Sequence, residues 1–334
     1  MRRVDLADLS DFGSDDAALL IRLDGLSPDL ARRAAVRLPA SGAGSTRPVL
    51  IGWSQQPLPQ WSEPLLKRLD FTLAPDGPGR CWLNAGDDFV EHVNRTVAHA
   101  PLASRLFARL LRVGERLDVE SALEMESLAY SALLASDEFE QWRIATPARA
   151  VPASPEPVLM ARDGAVLEVR LNRPERHNAF GRQVRDALLE ALALAALDHS
   201  LERVELTGTG PSFCSGGDLD EFGTAGSPVA AHLVRMEQSA GLAIHRMAER
   251  VRPTLHGACI GAGIEIPSFA THVRARANAW FQLPEVSMGL IPGAGGTVSI
   301  PRRIGRWRTA AMAMSGRPID LDTALEWGLV DECL

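Results

Sequence analysis

The chain has 334 residues, of which 46% are hydrophobic and 23% are charged, and its formal net charge is −7. This composition is that of a globular protein and excludes a disordered chain, a collagen-like repeat and a small disulfide-stapled scaffold. The length predicts two domains, or one large domain with an appendage. The acidic balance argues against a protein that binds nucleic acid or an anionic membrane surface.

Cysteine usage and the N-terminal residues bear on cofactors and location. The four cysteines form no C-x-x-C pair, so we expect neither a thiolate zinc site nor a disulfide framework. The first twenty residues include five aspartates, which is unlike a signal peptide. Because no run approaches about 18 apolar residues, we expect no transmembrane helix, no membrane partner and a cytoplasmic location.

The first half of the chain is predicted to form strands followed by helices. Three apolar runs predict strands, at residues 18–25, 48–53 and 69–75. A loop rich in glycine and serine is predicted at 40–48. From about residue 87 to 142 the apolar spacing is helical. One stripe of this region, which we expect to be ordinary core, comprises Leu102, Leu106, Leu110 and Val113.

A stretch rich in proline and small residues at 146–157 predicts a linker between the two halves. The second half opens on a predicted hairpin, with strands at 158–161 and 165–171 around Asp163-Gly164. The pattern then predicts a helix at 181–198, a strand at 203–210, a helix near 228–250 and a strand–turn–helix unit from 253. Such alternation is typical of an α/β fold with crossover connections.

Three glycine-bearing segments are candidates for a functional site: SFCSGGDLDEF (212–222), HGACIGAGIEI (256–266) and FQLPEVSMGLIPGAGGT (281–297). A nucleotide-binding glycine fingerprint would open the first strand–helix unit and precede an acid by about 20 positions, which these segments do not do. A strand that ends in small residues and opens a helix presents backbone N–H groups to developing negative charge. Two converging groups of this kind form an oxyanion hole, and the first two segments each offer one.

Two glutamates lie in apolar sequence surroundings. Glu265 directly follows the glycine turn of ACIGAGIEIPSF, and Glu285 precedes the run Val-Ser-Met-Gly-Leu-Ile. Burying a carboxylate is costly unless it has partners or a raised pKa, which makes both residues functional candidates. The alternatives are a helix N-terminal acid for Glu265 and a loop acid for Glu285. Paired acids in an apolar cleft suit proton transfer next to a carbonyl.

Five motifs of the second half occur in the order and spacing of a known family. They are LNRPERHNAF (171–180), SFCSGGDL (212–219), HGACIGAGIEI (256–266), FQLPEVSMGLIPGAGGT (281–297) and SGRPIDLDTALEWGLVDECL (315–334). In these motifs the chain resembles the crotonase superfamily, that is, the enoyl-CoA hydratase/isomerase family. The resemblance implies an α/β fold of the crotonase-like (ClpP/crotonase) type, a spiral of ββα units. It also implies an acyl-CoA thioester substrate and a homo-oligomer, either a trimer or a hexamer.

By this resemblance, the backbone N–H groups of Gly217 and Ala262 would hold the thioester oxygen. Glu265 matches the glutamate that orients and activates water, and Glu285 matches the one that donates or removes the proton at Cα. Retention of both implies hydration of a trans-2-enoyl-CoA to a 3-hydroxyacyl-CoA, with no metal or redox cofactor and with coenzyme A only as part of the substrate. The fold also hosts isomerases, thioester hydrolases and decarboxylases. These, and a non-catalytic crotonase-like subunit, are the alternatives.

The resemblance also assigns contacts to coenzyme A and to the acyl group. The coenzyme A set comprises Arg176, His177, Ala179, Ser215 and Asp218. The acyl set comprises Phe222, Leu290, Pro292 and Gly293, with Met236 and Trp280 as further candidates. Many relatives carry lysine where this chain has Glu175 and Asp220, and acids beside a polyphosphate would repel it. The candidate substitutes for those lysines are Arg176, Arg182 and Arg185.

The family usually continues beyond its final motif with helices that cap the active site, whereas this sequence ends at Leu334. Residues 93–143 resemble that cap, and the strands before them faintly resemble a crotonase core. We therefore expect a degenerate α/β segment at 1–90, a cap-like helical segment at 91–150 and the catalytic core at 155–334. A duplication or a circular permutation would produce this order. The competing hypothesis is an unrelated α/β appendage.

Overall fold

The computed structural model describes residues 1–6, 16–38 and 47–334. Its first part is built on a five-stranded parallel sheet whose strands follow chain order. The strands are β1 (Arg2–Asp5), β2 (Ala18–Arg22), β3 (Val49–Trp53), β4 (Phe71–Leu73) and β5 (Trp82–Leu83). The second, third and fourth of them confirm the strands that the apolar runs predict. Of the loop predicted at 40–48, residues 40–46 lie outside the described residues.

Side chains of this sheet alternate between its two faces, as the two-residue period of a strand requires. Leu19 and Ile21 of β2 pack with α1 (Pro28–Arg37) and α2 (Glu63–Leu66) in one core cluster. Leu20, between them, belongs to the other cluster, which contains the helices that come next in the chain. The sheet is therefore covered on both faces. Helix α1 lies in a stretch for which the sequence pattern predicted no helix or strand.

Four helices fill the region that was predicted to be helical: α3 (Asp87–His99), α4 (Pro101–Gly114), α5 (Val119–Leu134) and α6 (Asp137–Ala145). The buried face of α4 includes Phe107 and Leu111, whereas Leu102 is 55% exposed. The prediction was wrong for Leu102. The buried face of α4 is shifted by one residue from the predicted stripe, so that Phe107, the neighbour of Leu106, turns inward. Within the described ranges, no helix is both long and apolar enough to cross a membrane.

Residues 146–157 contain neither helix nor strand, as the linker prediction requires. The second part then forms a sheet from β6 (Val158–Asp163), β7 (Val166–Leu171), β8 (Arg203–Gly208), β9 (Val251–Leu255), β11 (Arg274–Ala275) and β14 (Glu332–Cys333). The spatial order is β14-β11-β9-β8-β7-β6. The pair β6 and β7 is antiparallel and confirms the hairpin around Asp163-Gly164, while the other neighbours are parallel.

A three-stranded sheet accompanies it, formed by β10 (Ala258–Ile260), β12 (Trp280–Gln282) and β13 (Ile319–Asp320). The helices of this part are α7 (Arg182–Leu197), α8 (Pro228–Glu237), α9 (Ala240–His245), α10 (Ala262–Glu265), α11 (Gly296–Ile304), α12 (Arg306–Ser315) and α13 (Leu321–Trp327). The single helix predicted near 228–250 is wrong, since two helices occupy it. The break follows from Ser239, whose hydroxyl accepts the N–H of Leu242 at 3.2 Å and caps a new helix.

The two parts share one hydrophobic core, which includes Phe71 of the first sheet, Phe107 of α4 and Met312 of α12. A polar contact reinforces the same junction, because the buried Arg306 donates to the carbonyl of Leu69 at 3.0 Å. As a result, α4 and α5 pack directly against α11 of the second part.

Candidate active site

The two glutamates selected from the sequence converge on one glycine. Glu265 ends α10, and Glu285 opens a short 3₁₀-helix at Glu285–Met288. They are 2% and 7% exposed. Gly261, which precedes α10, has a φ of +47°; a Cβ there would lie 2.2 Å from Glu285 Oε1 and 3.5 Å from Glu265 Oε1. Glycine at this position therefore lets both carboxylates approach the same backbone.

Glu265 is held by the turn that opens α11. Its Oε2 accepts the backbone N–H groups of Ala294 at 2.7 Å and Gly296 at 2.8 Å. A Cβ at Gly296 would lie 2.7 Å from that oxygen, so the turn needs glycine here to come this close. These bonds fix one oxygen of Glu265 and leave Oε1 on the side of Gly261.

A third buried carboxylate, Glu126 of α5, accepts the other two backbone N–H groups of the same turn, those of residues 295 and 297. It accepts the N–H of Gly295 at 2.8 Å, the N–H of Thr297 at 2.9 Å and the Thr297 hydroxyl at 2.7 Å. Four successive N–H groups, at 294–297, are thus shared between a glutamate of the second part and a glutamate of the first. The cap-like segment is in this way bonded directly to the backbone that positions Glu265.

Burial raises the pKa of all three carboxyl groups. Burial is the main cause at Glu285, and with the charge of Glu126 it raises the pKa of Glu285 to about 8. Burial raises the pKa of Glu126 to about 7, against the opposing effect of its hydrogen bonds. The pKa of Glu265 lies well above its ordinary value because of burial and the neighbouring charges of Glu285 and Glu126. Such carboxyls retain protons near neutral pH and can donate them.

The hydrogen-bonding of Glu285 differs from that of the other two. Its Oε2 is buried and has no hydrogen-bond partner among the described residues. A buried unpaired oxygen costs free energy, so Glu285 is the carboxyl poised to bond to a ligand or to a transferred proton.

Two backbone N–H groups lie beside these acids. Cys214 and Cys259 form a parallel β-bridge, and a Cβ at Gly216 would lie 3.1 Å from the carbonyl of Ile260. This pairing brings Gly217 next to the start of α10, where Ala262 is the first residue. Within the described ranges, neither the Gly217 N–H nor the Ala262 N–H donates to a backbone or side-chain acceptor. Free N–H groups of this kind are the components of an oxyanion hole.

A cavity of about 500 Å³ opens beside both glutamates and both of these N–H groups. Other predicted residues in its wall are Asp218, Phe222, Met236, Gly293, Arg182 and Arg185. Predicted residues that do not line it are Arg176, His177, Ala179, Ser215, Leu290, Pro292 and Trp280. The first part of the chain contributes to the wall through α5, with Leu123, Glu126 and Tyr130.

Arg176, predicted to contact coenzyme A, is engaged by two aspartates. Its Nη2 donates to Asp218 Oδ1 at 2.7 Å and to Asp220 Oδ2 at 2.8 Å. Arg176 and the backbone N–H of Arg149 hold the pKa of Asp220 below its ordinary value. The guanidinium therefore fixes the turn next to Gly217, and its contact with a phosphate stays a prediction.

Two further members of the predicted coenzyme A set hold the same loop. The carbonyl of His177 accepts the N–H of Ser215 at 2.9 Å, and His177 Nδ1 lies 3.1 Å from Ser212 Oγ. Ala179 is buried next to this strip. These contacts position the segment that carries Gly217. The binding roles of His177, Ala179 and Ser215, and the acyl roles of the buried Leu290 and Pro292, stay predictions.

Sequence reasoning missed Glu126, Tyr130 and Arg235. Glu126 and Tyr130 lie in a helix that was interpreted as ordinary core. The available signal was a glutamate on the same helical face as Leu123 and Tyr130, since positions three and seven residues apart share a face. Arg235, on α8, carried no comparable signal. Its guanidinium stacks on the Tyr130 ring at 4.4 Å, across the junction of the two parts.

Comparisons with known proteins agree with this geometry. The family model described as enoyl-CoA hydratase/isomerase matches residues 161–334. A mevalonyl-coenzyme A hydratase of Beauveria bassiana is 35% identical over 174 residues, which are 50% of this chain and 62% of that protein. The 2,3-dehydroadipyl-CoA hydratase of Escherichia coli is 32% identical over 175 residues, 52% of this chain and 68% of that protein.

A solved structure gives the same answer for the fold. The enoyl-CoA hydratase from Thermoplasma volcanium superposes with a TM-score of 0.50 at 30% identity, and the match covers 53% of this chain and 71% of that one. The similarity confirms the predicted crotonase-like α/β fold for the second part. The chain belongs to the enoyl-CoA hydratase/isomerase family of the crotonase superfamily.

Proposed function

We propose that the protein hydrates a trans-2-enoyl-CoA to a 3-hydroxyacyl-CoA. The observation that carries the proposal is the convergence of Glu265 and Glu285 on Gly261, beside the free N–H groups of Gly217 and Ala262. The family match supports an acyl-CoA enzyme, and two relatives described above are named as CoA-thioester hydratases.

Each group has one task in this reaction. The thioester oxygen accepts the N–H groups of Gly217 and Ala262, which stabilise the enolate that forms when water adds. Glu265, held at Oε2, uses Oε1 to take a proton from water as the water oxygen bonds to Cβ. Glu285 gives its proton to Cα. One O–H bond of water, the π bond between Cα and Cβ and the O–H bond of Glu285 break, while a Cβ–O bond, a Cα–H bond and an O–H bond on Glu265 form.

The protonation state of Glu285 suits its role as proton donor. A pKa of about 8 keeps Glu285 protonated at neutral pH and ready to donate. The two N–H groups of the 294–297 turn favour the ionised form of Glu265. The proposal assigns the negative charge during catalysis to Glu265, whose pKa is raised by burial and by the charges of Glu285 and Glu126 and lowered by these two N–H bonds. Repulsion between close carboxylates opposes ionisation of both together.

We also propose that residues 91–150 serve as the cap of this cavity, and that Arg182 and Arg185 contact the phosphates of coenzyme A. The bonds from Glu126 to the 294–297 turn support the cap. Both arginines lie in the cavity wall, and Arg182 is exposed. The ancestry of the first 90 residues stays a prediction.

Isomerisation of the double bond is the second candidate. The unpaired Oε2 of Glu285 favours it, because one carboxyl that removes a proton and returns it elsewhere suffices for that reaction. Glu265 would then be dispensable.

The loss of enoyl-thioester absorbance with crotonyl-CoA and a longer 2-enoyl-CoA tests the proposal. The protein should consume both, and Glu265→Gln and Glu285→Gln should each abolish turnover. Glu249→Gln, an exposed acid outside the cavity, is the matched control. If only Glu285→Gln loses activity, the reaction is isomerisation; if neither does, the proposed site is wrong.

A further inference from the structure

One cation of the cavity wall has no counter-ion. Arg235 donates through Nε and Nη2 to Ser127 and Ser131 of α5. Its Nη1 donates to no acceptor among the described residues, and none of their carboxylates forms an ion pair with it. Arg235 is only partly exposed, and an arginine withdrawn from water is ordinarily paired with an anion.

Glu126 acts on Arg235 but forms no ion pair with it among the described residues. Glu126 lies close enough to act electrostatically on Arg235, but both of its oxygens are committed to the 294–297 turn. The raised pKa of Glu126 leaves that carboxyl partly protonated at neutral pH. Burial in turn lowers the pKa of the guanidinium, as expected for a cation whose charge is not balanced.

Arg235 lines the same cavity as Glu265 and Glu285. It stacks on one side of Tyr130, and that ring also packs on Gly293, where a Cβ would lie 2.3 Å from it. The phosphates of coenzyme A have their own candidates in Arg182 and Arg185. Arg235, in the wall of the same cavity, is therefore a candidate contact for the acyl group.

We propose that Arg235 selects an acyl group whose far end carries a carboxylate, so that the preferred substrate is the CoA thioester of a dicarboxylic acid. The inference rests on the proposed acyl-CoA function of this cavity. A guanidinium matches a carboxylate in geometry and charge, and the substrate would supply the counter-ion that the chain does not.

Binding of unreactive ligands tests this independently of catalysis. Titration calorimetry compares two saturated six-carbon acyl-CoAs, one ending in a carboxylate and one in a methyl group, and coenzyme A alone. The wild-type chain should bind the carboxylate-ended thioester about 10- to 100-fold more tightly than the methyl-ended one, as a charge-assisted hydrogen bond allows. Arg235→Met should remove that preference and leave the affinity for coenzyme A unchanged.

Two further variants test whether the effect is specific to the charge of Arg235. Arg235→Lys retains the charge and should retain part of the preference, and Arg162→Met removes an exposed arginine of the β6–β7 hairpin as a control. Equal binding of the two thioesters by the wild type overturns the inference while leaving the proposed function intact. Equal losses for all three ligands in Arg235→Met also overturn it, because Arg235 would then bind coenzyme A. Binding of none of them refutes the proposed function together with the inference.

Discussion

Replacing Glu126 by glutamine should destabilise the protein and slow its reaction. Glu126 is 2% exposed, and its two oxygens accept bonds from the Gly295 N–H, the Thr297 N–H and the Thr297 hydroxyl. An amide has a single acceptor oxygen, so in Glu126→Gln one backbone N–H of the turn must face an NH₂ group and lose its partner.

The magnitude follows from that lost bond. A buried donor without a partner costs about 1–3 kcal/mol, so the free energy of unfolding should fall by that amount. Ala294 and Gly296 of the same turn hold Glu265, so a displaced turn also displaces the carboxylate. A shift of about 1 Å at a catalytic group costs on the order of 100-fold in rate.

Denaturant unfolding at pH 8, where Glu126 is mostly ionised, measures the free energy, and initial rates of enoyl-CoA hydration measure kcat. Glu124→Gln is the matched control, because Glu124 lies on the exposed face of the same helix. Equal stability and equal kcat in Glu126→Gln and Glu124→Gln would refute the account of the shared turn.

Three further predictions follow from the buried carboxyls. The rate of hydration should fall as pH rises through about 8, because Glu285 must be protonated to donate; a rate that still climbs above pH 9 would contradict this role. The free energy of unfolding should decline between pH 4.5 and 8, because the Glu285 carboxyl ionises near pH 4.5 in the unfolded chain and near pH 8 in the folded protein. That contribution is on the order of 5 kcal/mol at most, and Glu285→Gln should flatten the decline in urea titrations at several pH values. Gly261→Ala should lose about 100-fold in kcat, since its Cβ would displace Glu285. The control is Gly316→Ala, which should lose no activity because Gly316 has a similar φ of +59° but open space around it. Equal kcat values for the two variants would count against the convergence of both glutamates on Gly261.

The features of the fold that the sequence could predict are those determined by neighbouring residues, such as turns. Asp163-Gly164 determines its own turn, and the hairpin formed where expected. The break at Ser239 was missed because helical periodicity continues across it, and a single side-chain cap decides the outcome. The buried face of α4 was misassigned because Phe107 and Leu111, rather than Leu102, turn into the core.

In the candidate site, too, residues with a local sequence signal could be predicted, whereas those brought in by long-range packing could not. Glu265 and Glu285 could be selected because each is an acid in an apolar segment of its own. Glu126 could not be paired with them, since its partner Gly295 is 169 residues away and only the packing of α5 on α11 brings the two together. The acid at Asp220 was recognised as a departure from the family, and the structure gives the reason: it pairs with Arg176.

The most direct test of the central claim is the fate of crotonyl-CoA incubated with the protein in D₂O and followed by NMR. The account predicts 3-hydroxybutyryl-CoA that carries one deuterium at Cα, delivered from Glu285, with no such product from Glu265→Gln or Glu285→Gln. Formation of a product without oxygen at Cβ, or hydration by both variants at the wild-type rate, would contradict it.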